Sequence, residues 1–446
     1  MAIGRYLTCF MLEKLRDIFK NEGISGFFTR AVRRICRALL IVCGLPASVL
    51  LRFLNLFIPI KLVSIRSNVL GHFVIHTEFH LRRIQLEPSP YRLISFFNKG
   101  VSNTQWEKMV RRRYYVNRFF KYVWIANRLI PGFRKYEFRL VDGEGDIRDQ
   151  HGIVSRTKPQ LTFNTEENIR GKSYLADNGI SDRDKFICLI VRDSGYKESL
   201  NEGIDRTYHS YRNSMLDTYK EAVIALSDRG YWIFRMGKGV NQTFDISYPR
   251  VVDYATSDDR SDFLDIWLTA NCYFCITTGT GLDEVAGFWG IPSVFVNLLP
   301  LNHIPLYKNS ITVPKKLTWE ENGKLLSLEE YMQHGYTSTD EYRDQGVRIT
   351  DLDSHEIWKA VDEMELTLRG EYKQTGSQVA RQEQAIQTIL DCDKQNAERF
   401  ELDSRHPTRG HQFHQDPQAR IGSYFLDENW CDLFPEKIND TRTSWK

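Results

Sequence analysis

The stretch Thr277-Thr-Gly-Thr-Gly-Leu-Asp-Glu284 brings together groups that receive phosphate: glycines that let a ligand approach the backbone, hydroxyls, and the free N–H groups of a helix start. An ordinary tight strand-to-helix turn explains such a motif equally well. Its neighbours add weight. Val191-Arg-Asp-Ser-Gly-Tyr-Lys197 follows another apolar run and sets Arg192 and Lys197 just past a strand end, while Arg235 closes a third run in Phe234-Arg-Met-Gly237. Three cations from separate strand ends can neutralise a diphosphate, work that a metal does elsewhere. Solvated strand-end charge is the competing reading, more natural for Lys197 than for Arg235. Together with Thr278, Gly279, Thr280 and Gly281 these cations form the candidate anion-binding set.

A second candidate site opens at Gly71-His-Phe-Val-Ile-His-Thr-Glu78, after the strand-like Lys61–Arg66. His72 is the first candidate for a base that deprotonates a hydroxyl, because imidazole titrates near working pH. Glu78 and Asp193 are the others. A phosphate contact and a packed, hydrogen-bonded histidine compete as readings of His72.

The elements around these residues alternate. Phe186–Val191 is a continuous apolar run, as expected of a strand buried on both faces. A helical pattern over 210–229 stops at Gly230, and Tyr231–Phe234 and Arg250–Asp253 read as strands. Residues 259–270 form a helix, Cys272–Thr277 a strand, Gly281–Trp289 a short helix and Pro292–Asn297 a strand. Such alternation predicts a parallel sheet covered on both faces, with ligands beyond the carboxyl ends of its strands.

The ordered set VRDSGY (191–196), YRNS (211–214), FRMG (234–237), DRSDFLD (259–265) and TTGTGLDEVAGFWGIPSVFVN (277–297) resembles a family of bacterial glycosyltransferases encoded among surface-glycan and flagellin-glycan genes. The last stretch is also similar to the donor-domain segment of lipopolysaccharide heptosyltransferases. There, however, the turn is acidic and includes a histidine, where this chain has Thr278 and Thr280. The resemblance runs from residue 61 to about 300. It implies an α/β fold of the GT-B type: two Rossmann-like domains facing across a cleft, donor on the C-terminal side and acceptor on the N-terminal side. It also implies a nucleotide-sugar co-substrate, no cofactor and no bound metal. Arg212 and Arg260 become donor-side positions, and Glu284 a residue to reach the ribose or sugar. If the reaction retains configuration, no base is needed and His72 only binds. The strings Asp182-Arg-Asp184, Asp351-Leu-Asp353 and Asp391-Cys-Asp393 read as surface charges.

At 446 residues the chain is long enough for two or three domains, and its 42% apolar and 26% charged residues are those of a soluble globular protein. Residues 1–60 carry nine Lys/Arg and three acids, a net +6 within a chain of +3. Residues 38–60 are apolar, but only 14 residues precede Arg52, and Pro46 and Asn55 interrupt them. This predicts a helix lying on anionic lipid rather than a span, with a helix pair packed on the protein itself as the alternative. The setting expected is the cytoplasmic face of the inner membrane, or the cytoplasm. The eight cysteines are scattered and Cys272 and Cys275 read as reduced strand thiols. Residues 108–135 hold nine Lys/Arg, no acid and several aromatics. They suit an anionic headgroup or lipid-diphosphate better than nucleic acid, and a basic exposed helix face explains them equally. Residues 139–162 read as a long loop, 165–178 as a helix, and the tail as helical to about 400 and loop-like after, with His406, His411 and His414 at no metal spacing.

The expected division is 1–60 membrane-associating, 61–180 acceptor domain, 181–345 nucleotide-sugar domain, and 346–446 helices and polar tail. The function expected is transfer of a sugar from a nucleoside diphosphate to a glycan, lipid-linked or protein acceptor. The alternatives are an isomerase of the UDP-sugar 2-epimerase kind and a non-catalytic membrane- or RNA-binding protein.

Overall fold

The computed structural model describes residues 28–29, 32–141, 149, 151–193, 195, 207–305, 309–400 and 419–435. The chain divides into two compact units, one of Met1–Arg66, Ser89–Gly100 and Arg111–Arg139, the other of Ser67–Pro88, Val101–Val110 and Leu140–Lys446. The helices that matter below are α1 (Val32–Leu54), α2 (Leu70–Leu86), α3 (Thr104–Arg113), α4 (Phe119–Arg128), α5 (Thr165–Asp177), α6 (Lys220–Asp228), α7 (Asp262–Asn271), α8 (Asp283–Trp289), α9 (Ser354–Arg369), α10 (Gly376–Phe400) and α11 (Ser423–Leu433).

In the first unit β1 (Ile60–Ile65), β2 (Arg92–Phe97), β3 (Tyr115–Val116) and β4 (Glu137–Phe138) form a parallel sheet in the order β3-β2-β1-β4. Leu62 of β1, Val123 of α4 and Leu51 of α1 make its small core. The expected interruption at Pro46 does not occur. Helix α1 runs through it to Leu54, and only Asn55 stands in the following turn.

The main sheet of the second unit has seven strands, β5 (Phe186–Ile190), β6 (Trp232–Met236), β7 (Val251–Val252), β8 (Cys275–Thr277), β9 (Ser293–Leu298), β10 (Ser310–Pro314) and β13 (Arg420–Ile421), while β11 (Lys316–Trp319) and β12 (Val347–Thr350) form a separate antiparallel pair. The seven pair in parallel, in the order β13-β10-β9-β8-β5-β6-β7. The chain winds from β5 outward through β6 and β7, then returns to start again at β8 on the other side of β5. The order therefore reverses between β5 and β8, and connections leaving those two ends diverge to opposite faces, the place where doubly wound sheets open a crevice.

Strand β5 shows why its run is apolar throughout. Ile187, Leu189 and Val191 enter one core with Tyr219, Val223 of α6 and Val361 of α9. Phe186, Cys188 and Ile190 enter the other, with Phe234, Trp267 and Leu268. Alternate residues thus serve opposite faces, and both are covered. On the second face α5, α7 and α8 pack in succession, and α2 packs on α8. Gly171 is required there, because a Cβ would come within 2.1 Å of the Trp267 ring.

Three expectations change. Residues 207–228 are two 3₁₀ turns, Thr207–Arg212 and Leu216–Tyr219, followed by α6, rather than one helix. The YRNS segment takes part in tertiary hydrogen bonds that a continuous helix could not make. The tail beyond 400 is not all loop: β13 extends the sheet beside β10, and α11 follows it. Within the segment expected to be a loop, Ile153–Arg156 makes one helical turn. The Cys188, Cys272 and Cys275 thiols are free and buried; Cys188 and Cys275 lie in strands, but Cys272, expected in one, stands at the end of α7. His406, His411 and His414 lie outside the described residues.

Candidate functional site

Beyond β5 and β8 the backbone is drawn together by side chains. The Arg192 amide donates to Thr278 Oγ1 at 3.0 Å, and the Thr278 amide to the Ile190 carbonyl at 3.3 Å. Segment 211–214 clamps both ends. The Ser214 amide donates to the Arg192 carbonyl at 3.1 Å, Arg192 Nε donates to Asn213 Oδ1 at 3.3 Å, and Arg212 Nη2 donates to the Gly279 carbonyl at 2.6 Å. The same segment reaches the next two strands. Asn297, at φ 55° near the end of β9, donates to Ser214 Oγ at 2.9 Å, and Lys315 Nζ, just past β10, donates to the Asn213 carbonyl. Four strand ends thus meet at one tetrapeptide.

Electrostatically the place is lopsided. Arg192 and Arg212 are both half-buried, and among the described residues neither forms an ion pair. Burial, and secondly the charge of Arg212, bring the Arg192 guanidinium down to about 10. Lys315 is buried and compensated, its Nζ 2.6 Å from Asp351 Oδ1. Burial lowers its proton affinity, Asp351 raises it, and Arg192 lowers it further. Asp351 is thus no idle surface charge, in correction of the expectation, and neighbouring Asp353 caps α9 through the Glu356 amide. Among the described residues the arrangement is a pair of neighbouring arginines with no anion between them. Such charge, half out of water, calls for an anionic partner.

The glycine turn contributes differently from expectation. Thr277 Oγ1 and the Thr280 amide donate to Asp283 Oδ2 at 2.9 and 2.8 Å, and the Gly279 amide donates to Thr277 Oγ1 at 3.2 Å. The Leu282 amide is taken by Thr280 Oγ1 at 3.2 Å. The amides of Gly279, Thr280 and Leu282 are therefore occupied in shaping the turn. Asp283 is buried, and burial pushes its carboxyl up to about 6 against the pull of those hydrogen bonds and of Arg212. With Asp283 and Glu284 in the first turn of α8, that helix start is a poor anion cradle. Gly279 has φ +75°, and a Cβ on it would lie 2.6 Å from Leu298 Cδ1, so glycine is needed for shape.

The GH motif lies against this turn. A Cβ on Gly281 would come within 2.8 Å of the Gly71 amide nitrogen, and one on Gly71 within 3.1 Å of Gly281 Cα and 3.7 Å of Glu284 Cγ. The starts of α2 and α8 thus touch backbone to backbone, which brings Gly71-His72 and residues 281–284 into one neighbourhood. His72 is half-buried, its ring edge-on to His76 at 5.4 Å.

Other candidates are engaged in holding the fold. Arg235 is 1% exposed on β6, with Nη1 3.1 Å from Asp253 Oδ1 and Nη2 3.9 Å from Asp193 Oδ2. Asp193 also accepts from the Gly195 amide at 3.0 Å and the Asn241 amide at 2.9 Å. Both residues expected in the chemistry, Arg235 as diphosphate ligand and Asp193 as base, therefore belong to an internal ion network. Glu78, the third candidate base, is likewise engaged: fully buried, it pairs with Arg82 Nε at 2.9 Å and accepts from the Gln160 and Leu161 amides at 2.5 and 2.9 Å. Arg260 is bound to Asp265 and to the Gly237 carbonyl, fixing the start of α7. Lys197 lies outside the described residues.

Asn213, Asp283, Lys315 and Asp351 were not among the expected site residues. The rule that drew attention to Arg192 and Arg235, a cation at the end of an apolar run, applies equally to Lys315 after Ser310–Pro314. Asn213 is signalled only by its place in the YRNS motif, and Asp351 carries no comparable signal.

No family model matches the sequence, and no curated protein matches it. Among solved structures the chain is similar to a glycosyl transferase family 9 protein from Veillonella parvula, at 11% identity and a TM-score of 0.40 over 57% of this chain and 86% of that one. It is similar to the E. coli ADP-heptose LPS heptosyltransferase II at 15% identity and a TM-score of 0.36, over 57% and 90%. Similarity to the dodecameric iron-containing heptosyltransferase TibC in complex with ADP-D-β-D-heptose is 12% with a TM-score of 0.37, over 70% and 76%. At such identities and TM-scores the reaction has to be argued from this chain's own residues.

Proposed function

We propose that this chain is a glycosyltransferase of the GT-B type, moving a sugar from a nucleoside diphosphate to a hydroxyl of a glycan, lipid-linked or protein acceptor. The observation that carries the reading is the pair Arg192 and Arg212, side by side at the switch point of a seven-stranded parallel sheet with no ion-pair partner among the described residues. A diphosphate is the ligand such a pair suits. Guanidinium forks match phosphate oxygens in pairs, and two of them take up the charge that develops on the leaving oxygen as the glycosidic bond breaks. The ordered motifs resembling a glycosyltransferase family supply the sugar; charge alone would suit any diphosphate.

In this reading Arg192 and Arg212 bind the diphosphate, Lys315 holds Asn213 and so aims Arg192, and the 277–283 turn fixes Arg212 through the Gly279 carbonyl. His72, beside the Gly71–Gly281 contact, takes the acceptor proton if configuration inverts. The role of a bound metal, neutralising the diphosphate, falls to the arginines.

The test is a thermal-shift screen of nucleoside diphosphates and nucleotide sugars, because a ligand held only by the folded state raises the melting temperature. A saturable rise with one nucleotide, lost in Arg192→Ala plus Arg212→Ala, is expected. An equal rise in that variant overturns the site. Incubation of the bound nucleotide sugar with acceptor then separates transfer from epimerisation.

A further inference from the structure

Helix α1 faces its own protein with the wrong side for a soluble helix. Its contact stripe is small: Gly44, where a Cβ would lie 2.7 Å from the Tyr122 carbonyl oxygen, then Ala47 and buried Ser48, and lastly Leu51 in the core with Leu62 and Val123. These positions recur at the three- and four-residue spacing of one helix face. The large apolar side chains stand on the other side. Ile35, Leu39, Val42, Leu50 and Phe53 are each more than half exposed, and Phe57, in the turn beyond the helix, is 72% exposed. A soluble helix buries its large apolar residues and shows its polar ones; here the order is reversed.

We infer that α1 and the turn after it form a docking surface for an anionic phospholipid bilayer, lying along the membrane plane with Ile35, Leu39, Val42, Leu50, Phe53 and Phe57 in the acyl boundary. Charge selects lipid over a second copy of the chain. Within α1 the charged residues are Arg33, Arg34, Arg37 and Arg52, with no acid. A paired copy would set like charges together, whereas anionic headgroups match Arg33, Arg34 and Arg37 on the polar side of a helix whose apolar stripe is buried in the bilayer boundary. The stripe of small residues through which such helices pair closely is already occupied by α4.

Packing selects lying over crossing. From Gly44 to Leu51 the helix is seated on its own unit. Arg52 then donates to Asn127 Oδ1 at 2.9 Å, to the Ile130 and Pro131 carbonyls at 3.0 and 2.8 Å, and stands over the Tyr136 ring at 4.7 Å. Among the described residues only Val32–Cys43 is unattached, roughly 18 Å of helix against the ~30 Å of a hydrocarbon core.

The inference stands apart from the diphosphate reading, since vesicle binding is measured without substrate. The full chain should float with vesicles of phosphatidylethanolamine and phosphatidylglycerol, and carbonate should release it. Leu50→Ser, Phe53→Ser and Phe57→Ser together should weaken binding about 100-fold while leaving the nucleotide-induced thermal shift intact. The unsubstituted chain supplies a second readout. The exposed thiol of Cys43, a heptad before Leu50, should lose reactivity toward a polar maleimide when vesicles are added, and exposed Cys431 should keep it. Any of four results overturns the inference: no flotation, unchanged flotation of the triple variant, retention after carbonate, or unprotected Cys43. A dimer dissolved by the same three substitutions, without vesicle binding, assigns the face to a second copy.

Discussion

Replacing Arg192 by Gln should move stability and ligand affinity in opposite directions. Burial and Arg212 depress the Arg192 guanidinium from 12.5 to about 10. At about 1.4 kcal/mol for each tenfold, that is a penalty of about 3 kcal/mol on its charged form. Folding lowers its proton affinity, so the penalty is complete at every pH below the folded value and fades only as pH rises through it. A neutral-pH experiment therefore sees all of it. Glutamine removes the charge and can still donate to Asn213, losing about 1–2 kcal/mol of packing and hydrogen bonding. The ligand-free variant should then gain about 1–2 kcal/mol, a rise of roughly 2–6 °C in melting temperature. Diphosphate affinity should fall ~10–100-fold, because a charge-assisted hydrogen bond contributes about 1.5–3 kcal/mol. Differential scanning fluorimetry with and without nucleoside diphosphate reads both. A variant that melts earlier than the wild type yet binds diphosphate equally well would refute the reasoning, for Arg192 would then be a structural residue.

Asp351→Asn should leave Lys315 buried without its counter-charge and cost about 2–4 kcal/mol by urea unfolding, more than Lys315→Met, which removes the buried cation and leaves unpaired only the more exposed Asp351. Gly281→Ala, with its Cβ 2.8 Å from the Gly71 nitrogen, should be less stable than Gly71→Ala, at 3.1 Å, by about 1 kcal/mol, and both should impair turnover by parting α2 from α8. Asp283, raised to about 6 in the folded chain, makes stability fall as pH rises from about 4 to 6, since the folded state then holds the extra proton. Asp283→Asn should flatten that decline in pH-dependent unfolding, and an unchanged slope would assign it to Asp265, also raised to about 6.

The sheet was legible because its signal is collective. A strand covered on both faces has no polar alternation, so Phe186–Ile190 and Ser293–Leu298 read as short apolar runs, and glycines after helices mark where the chain turns back. The irregular 207–219 segment was misread because Met215, Tyr219, Val223 and Leu226 do fall at helical spacing. Tyr219 and Leu226 are buried in the same core, but Asn213 and Ser214 ahead of them bond to strand ends, and periodicity is blind to that. β13 escaped notice for a different reason: two residues cannot establish a period, and Arg420–Ile421 is a strand only because β10 offers it an edge.

At the site, sequence could identify cations at strand ends but not which of them already had partners. Arg192 and Arg235 look alike, each one step past or within an apolar run. What separates them is Asp193 and Asp253, brought to Arg235 from 42 residues upstream and 18 downstream by the parallel register of β5, β6 and β7. Among the described residues no carboxylate is brought to Arg192; its neighbours are Arg212 and the Asn213 amide. The turn presents the same contrast. Its glycines promised free amides, yet Asp283, three residues beyond Thr280, folds back to take the Thr280 amide and the Thr277 hydroxyl, closing the cradle that the motif suggested. Affinity for a diphosphate must then come from exposed edges of guanidinium groups rather than from backbone dipoles. It follows that binding should weaken steeply with added salt, about tenfold or more between low and physiological ionic strength. A nucleotide affinity indifferent to salt would return the phosphate to the backbone of the turn and remove the arginine pair from its role.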